Sequence, residues 1–204
     1  MGNARAEILV RLARGHREST PAAIAIGSRI ANPVEAFVRG LEKVSATHET
    51  VLTIEQIDTA IDHYLRSLGA SNQLVVAGAA KAVGLLRNST REMIPAPTRG
   101  NEESAITTAY AGIAETGSLV LLSGVDTPVT TNFLPDNFIC ILKTADILPD
   151  MESLWVRMAS EGKTMPRSIN LVTGPSRTAD VEQIIQMGAH GPRRVHVILW
   201  NDRR

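Results

Sequence analysis

With 204 residues, 44% of them hydrophobic, the chain is long enough to bury a substantial core and suits one domain with room for a short extension. Its 21 Lys and Arg balance 21 Asp and Glu, and only 3% of residues are aromatic, which argues against a DNA- or RNA-binding protein or one held on an anionic membrane surface. A single cysteine, Cys140, excludes an intrachain disulfide and any all-cysteine zinc or iron–sulfur site built from this chain alone.

Residues 3–16 read as a helix with Ile8, Leu9 and Leu12 on one side, so that 1–31 is expected to form an N-terminal helical extension before a main α/β domain over 32–204. No apolar run approaches the ~20 residues that span a bilayer, and the basic N-terminus lacks the apolar region and cleavage pattern of a signal peptide. A cytoplasmic protein is expected. Asn32-Pro33 has the chemistry of an N-cap followed by proline at the first helical position, with Glu35 completing a capping box. Val34, Phe37, Val38, Leu41 and Val44 then follow helical spacing.

A strand is predicted over 49–53, and Thr53 with Gln56 opens a second helix whose buried face is Ile57, Ile61, Tyr64, Leu65 and Leu68, ended by Gly69. Strands at 74–77 and 91–94 flank a helical stretch at 79–86, and 95–104 reads as a loop. Further strands are expected at 118–122, 137–142, 169–172 and 195–200, with a loop at 123–133 and a helix at 149–160. Cys140, within Phe138-Ile139-Cys140-Ile141-Leu142, reads as a buried small hydrophobe. Strand and helix alternation implies a three-layer α/β domain, its central sheet mainly parallel and covered by helices.

Two segments carry the polar chemistry. Glu115 stands at the turn between the apolar runs of 109–122, where partial desolvation would raise its pKa toward that of a general base, or leave it as a nucleophile on an acyl group. It reads equally as a turn glutamate capping local amides. Gly117 permits a positive φ there, so the backbone of Thr116, Gly117 and Ser118 can approach a ligand.

The second segment, 173–180, looks like a loop feeding a helix N-terminus. Gly174 shapes the turn, Ser176 and Thr178 offer hydroxyls, Arg177 a permanent charge, and Asp180 either joins the site or answers the helix dipole. Phosphate or carboxylate fits such a cradle, and simple helix capping by Ser176 or Thr178 is the competing reading. His190, before Gly191-Pro192, suits a proton shuttle, a polar ligand contact or a structural turn. Lys81 either reaches an anion after a strand or is solvated. The histidines show no metal-ligand spacing, so no metal site is predicted, and the dinucleotide, P-loop and nucleophile-elbow motifs are missing.

The run Ala111-Gly112-Ile113-Ala114-Glu115-Thr116-Gly117-Ser118-Leu119-Val120-Leu121, then Leu134-Pro135, then residues 174–182 and His190-Gly191-Pro192, resembles the lactate-utilisation protein C family, whose members carry a LUD domain. The resemblance covers roughly the C-terminal half. It implies a fold like that of the sugar-phosphate isomerase and CoA-transferase superfamily. It also implies an accessory role in bacterial oxidation of L-lactate to pyruvate beside partners that carry iron–sulfur clusters, with no cofactor on this chain. The residues themselves leave room for a small anionic ligand at 174–180 and for a second copy of the chain, as a homodimer, over apolar residues such as Trp200. Of its residues, Glu115, Ser176, Arg177 and Asp180 are the ones the resemblance carries over. The family pattern often has a basic residue before Leu-Pro and a histidine after it, whereas here the loop reads Asp126-Thr127-Pro128-Val129-Thr130-Thr131 and Phe138 follows. The superfamily analogy implies an alternative, an enzyme acting through Glu115 on a CoA-linked or phosphorylated small molecule held by Arg177.

Overall fold

A computed structural model describes residues 7, 30–77, 84, 86, 91–97, 102–162, 164–179, 185–188 and 190–201. The expected helical extension, apart from Glu7, Ile30 and Ala31, the helical stretch at 79–86 apart from Gly84 and Leu86, and Lys81 and Asp180 lie outside the described residues.

Helix α1 (Pro33–Lys43) starts where Asn32-Pro33 predicted it, with the Asn32 side chain accepting from the Glu35 backbone N–H at 3.3 Å. The expected reciprocal box does not close, because Glu35 accepts from the Asn32 side-chain amide rather than from its backbone. Strand β1 (Thr47–Val51) leads to helix α2 (Ile54–Ser67). There the Gln56 side chain accepts from the backbone N–H groups of Leu52 and Thr53, at 2.7 and 3.2 Å. Strands β2 (Gln73–Val76), β3 (Glu92–Pro95) and β4 (Ser104–Thr108) follow. Next come β5 (Ala111–Ile113) and β6 (Ser118–Leu122), then one helical turn, α3 (Thr130–Phe133). The rest of the chain supplies β7 (Asn137–Lys143), β8 (Ile147–Leu148), α4 (Met151–Ser160), β9 (Ile169–Val172), β10 (Arg177–Ala179), β11 (Ile185–Met187) and β12 (Arg194–Trp200).

The main sheet is parallel throughout, in the order β1-β12-β7-β4-β2-β3. Its central strands are buried on both faces, so they read as continuous apolar runs sorted by the two-residue period. Phe138, Cys140 and Leu142 of β7 join Val195, Val197 and Leu199 of β12 in a core with Phe37 and Leu41 of α1. Ile139, Ile141 and Ile198 face the other way and meet Ile57, Ala60, Ile61 and Leu65 of α2. Cys140 is fully buried, and burial pushes its thiol pKa up, which makes it a packing residue.

A second, four-stranded sheet in the order β8-β5-β6-β9 lies beside α1, its Leu119 and Leu121 sharing the α1 core while Ala111, Ile113 and Val120 pack against Leu154 of α4. The face opposite α2 is therefore covered by a helix together with a mostly antiparallel sheet. Sequence periodicity did not resolve β4, β5 or β8. β8 has two residues and β5 three, too short to display alternation, and β4 begins at Ser104 in what reads as a loop. No described helix is long and apolar enough to cross a membrane.

Two polar groups inside the fold have measurable consequences. The Arg91 side chain, 5% exposed, donates from Nε to Asp62 Oδ1 at 2.8 Å and from Nη1 to the Ser71 carbonyl at 2.9 Å, tying the start of β3 to α2. Arg91→Ala is expected to cost about 2 kcal/mol in denaturant unfolding, less than the roughly 3–5 kcal/mol of a fully buried pair, because Asp62 is partly solvated and also faces Arg66.

His196, in register with Thr47, places Nδ1 2.8 Å from Thr47 Oγ1 and stacks on Tyr64 with ring centroids 3.9 Å apart. Burial, aided by the nearby His48 and His63, holds its pKa down to about 4 against an ordinary value of 6.5. The unfolded chain thus takes up the proton first as pH falls. Stability is full above about 6.5 and is lost as pH drops toward about 4, with about 2 kcal/mol gone at pH 5. Urea midpoints at pH 8 and pH 5 should show that loss, and the non-titrating His196→Asn should shrink it.

Candidate functional site

β5 and β6 form a hairpin in which Ile113 pairs with Ser118, leaving Ala114, Glu115, Thr116 and Gly117 as the loop. The Gly117 N–H donates to the Ile113 carbonyl at 2.9 Å, while Ala114 and Glu115 donate to Leu148 and Pro149 at 2.8 and 3.0 Å. These bonds leave Ala114 and Gly117 buried and Glu115 and Thr116 at the exposed tip. The desolvation expected for Glu115 is therefore absent. The apolar residues around it are strand residues turned into the two cores, while the turn sends its own carboxylate outward.

Gly117 has φ +69°, and its backbone lies against α1: a Cβ there would come within 2.5 Å of the Gly40 carbonyl carbon. The close approach that the glycine permits is thus to helix α1. Ser118, 3% exposed, places its Oγ 2.6 Å from Thr116 Oγ1 and 2.6 Å from Thr173 Oγ1. Because β6 and β9 pair antiparallel with Leu119 opposite Val172, Ser118 and Thr173 meet as the next pair along. The two polar segments singled out in the sequence are thereby joined. Thr173 was not among the expected site residues; only the strand register reveals it.

Gly174, at φ +83°, turns the chain against the end of α1, with Val44 O 2.8 Å from the position of a Cβ. Arg177 reaches the same carbonyl, its Nη2 3.4 Å from Val44 O, and remains exposed. A cation at a helix C-terminus is favoured by the dipole there. Arg177–Ala179 is a strand paired antiparallel with Ile185–Met187, not the start of a helix. Among the described residues, no helix N-terminus follows Arg177 directly, and Arg177 brings a positive charge to this corner. Thr178 lies on this strand by its backbone.

Ser176 is bonded to the turn before β12. Its N–H donates to the Pro192 carbonyl at 2.8 Å, and its Oγ accepts from the His190 backbone N–H at 3.3 Å. The His190 side chain is exposed beside this turn. Gly191 packs on Ser176 and on Phe133, one residue before Leu134-Pro135. Phe138, where the family pattern often has a histidine, is fully buried in the α1 core. The structure thus brings together Thr116, Ser118, Thr173, Gly174 and Arg177 around the end of α1, and separately joins Ser176 to the His190 turn.

The LUD-domain model matches residues 100–200, the span that contains every one of these residues except those of α1. The chain belongs to the LUD-domain family. It is similar to a protein named Lactate utilization protein C from Geobacillus sp. (strain WCH70), 36% identical over 101 residues that make up 48% of this chain and 42% of that protein. The Bacillus subtilis (strain 168) protein of the same name gives the same identity and coverage. A protein named YkgG from Escherichia coli (strain K12) is 34% identical over 106 residues, 50% of this chain and 46% of that one. The chain therefore spans less than half the length of these curated relatives. A crystal structure of a DUF162 family protein from Deinococcus radiodurans shares the fold, with a TM-score of 0.59 and 20% identity over 83% of this chain and 96% of that one.

Proposed function

We propose that this LUD-domain chain serves L-lactate utilisation as an accessory cytoplasmic component, acting beside partner proteins that carry the iron–sulfur clusters needed to oxidise L-lactate to pyruvate. The observation that carries this reading is the match of residues 100–200 to the LUD domain together with relatives named for lactate utilisation. The division of labour is supported by the cysteine content: the one thiol, Cys140, is buried in the main sheet, so this chain offers no set of cluster ligands.

Within that role, the corner formed by Thr116, Ser118, Thr173 and Arg177 is proposed to hold a small anion, with the exposed hydroxyls of Thr116 and Thr173 and the charge of Arg177 as donors. Glu115 stands on the exposed turn beside it, reachable from solvent. Affinity isolation of the tagged chain from cells grown on L-lactate tests the partnership. Co-elution of iron-containing chains with iron–sulfur absorbance is the expected result. A chain that elutes alone and free of iron under those conditions contradicts it. Turnover of a CoA thioester or sugar phosphate that disappears in Glu115→Gln would replace the accessory reading with an enzymatic one.

A further inference from the structure

We propose that strand β9 pairs with β9 of a second copy of this chain, joining the two four-stranded sheets into one across a twofold axis. Exposed edge strands invite such pairing unless charge, proline or shortness blunts them. The edges of the main sheet are blunted: β1 carries His48 and Glu49, and β3 carries Glu92 and ends in Pro95. In the second sheet β8 has only two residues, whereas β9 reads Ile169-Asn170-Leu171-Val172, without charge or proline. Leu171 is 45% exposed. The Ser123 N–H donates to the Ser168 carbonyl, so by alternation Ser168, Asn170 and Val172 turn their backbone toward β6, while Ile169 and Leu171 turn theirs outward. Among the described residues, no strand pairs with that outer side.

Antiparallel pairing about an axis at Asn170 sets Ile169 opposite the partner's Leu171 and Leu171 opposite the partner's Ile169. Both outward residues of each copy then exchange N–H and C=O bonds, and the apolar cross-strand pairs cover Leu171. The same register carries charge complementarity. Two residues before Ile169, Arg167 falls opposite the partner's Thr173, on the face that carries Leu171. Thr173 in turn bonds to Ser118, at the base of the hairpin whose exposed tip bears Glu115. Arg167 is exposed and makes no ion pair among the described residues. The pairing therefore delivers a guanidinium to an exposed carboxylate, twice by symmetry. It also brings a second cation to the corner proposed to hold an anion; that consequence rests on the anion reading, whereas the pairing does not.

Analytical ultracentrifugation of the purified chain tests this, using wild type, Leu171→Lys, Arg167→Glu, Glu115→Arg and the double charge reversal, with melting temperatures as folding controls. Wild type should sediment at twice the 22.0 kDa of one chain. Leu171→Lys should sediment as a single chain, because a lysine on an edge strand opposes pairing. Each single charge reversal should weaken the dimer about tenfold, and the double reversal should restore it. If a variant fails to fold, wild type still decides: the outward amides of Ile169 and Leu171 should exchange more slowly as concentration rises through the transition. A wild type that stays a single chain, with those amides exchanging at one rate at every concentration, would overturn the pairing, whether the edge stays open or serves a different protein. A dimer untouched by Leu171→Lys and by both charge reversals would place the interface on another face and overturn it too. A dimer that behaves as described while inorganic phosphate and L-lactate fail to bind would contradict the anion reading alone.

Discussion

Gly117→Ala should lower the melting temperature by about 10 °C, from a loss of about 4 kcal/mol in a domain of this size. Two costs combine. At φ +69° an alanine adopts the left-handed region at about 1 kcal/mol or more, and its Cβ would lie 2.5 Å from the Gly40 carbonyl carbon and 2.9 Å from the Leu41 nitrogen. Those are backbone atoms of a helix, so the overlap cannot be relieved by a rotamer change and α1 must move away from the hairpin. Gly69→Ala is the control, because φ is +64° there and nothing lies within 4 Å of the added carbon. It should show the backbone cost alone, a drop of only a few degrees. Gly40→Ala isolates the overlap, since alanine gains about 1 kcal/mol of helix propensity yet meets the Gly117 Cα at 2.7 Å. Net destabilisation of Gly40→Ala is the expected sign.

Phe37→Ala should cost about 4 kcal/mol, the usual range for emptying a buried phenylalanine site. Phe37 is fully buried in the core shared by α1, β7, β12 and the second sheet, and its ring lies over Gly112, with Cε2 2.9 Å from where a Cβ would be. That ring is what seats α1 on β5, and α1 in turn carries Gly40 and Val44 to the candidate site. Beyond the loss in urea unfolding, the Gly117 amide that donates to Ile113 should exchange with solvent faster in Phe37→Ala. Phe37→Leu keeps most of the volume and should cost less than about 1.5 kcal/mol.

What could be read from the sequence was local. Asn32-Pro33 and Thr53 with Gln56 mark helix starts because the capping chemistry lies within four residues, and both helices begin there. The apolar runs of β7 and β12 announce strands buried on both faces, and those strands hold the centre of the sheet. The errors are nonlocal. Residues 173–180 have the composition of a helix entry, but pairing with Ile185–Met187 makes Arg177–Ala179 a strand. Apolar neighbours left Glu115 open to two readings, a partly desolvated carboxylate or a turn glutamate; the strand neighbours face the cores, and Glu115 and Thr116 stand exposed at the tip. The Gly40–Gly117 contact and the Ser118–Thr173 hydrogen bond join residues far apart in the chain, and nothing in either segment alone predicts its partner. The lactate reading came from a combination of motifs, which the LUD-domain match over residues 100–200 covers.

Growth of a deletion strain on L-lactate as sole carbon source, in a host without a second lactate-oxidising system, tests the central claim most directly. The deletion should abolish growth on L-lactate while leaving growth on pyruvate intact, wild type should restore it, and Arg177→Ala should restore it poorly despite normal folding. Undiminished growth of the deletion strain on L-lactate would contradict the proposed role.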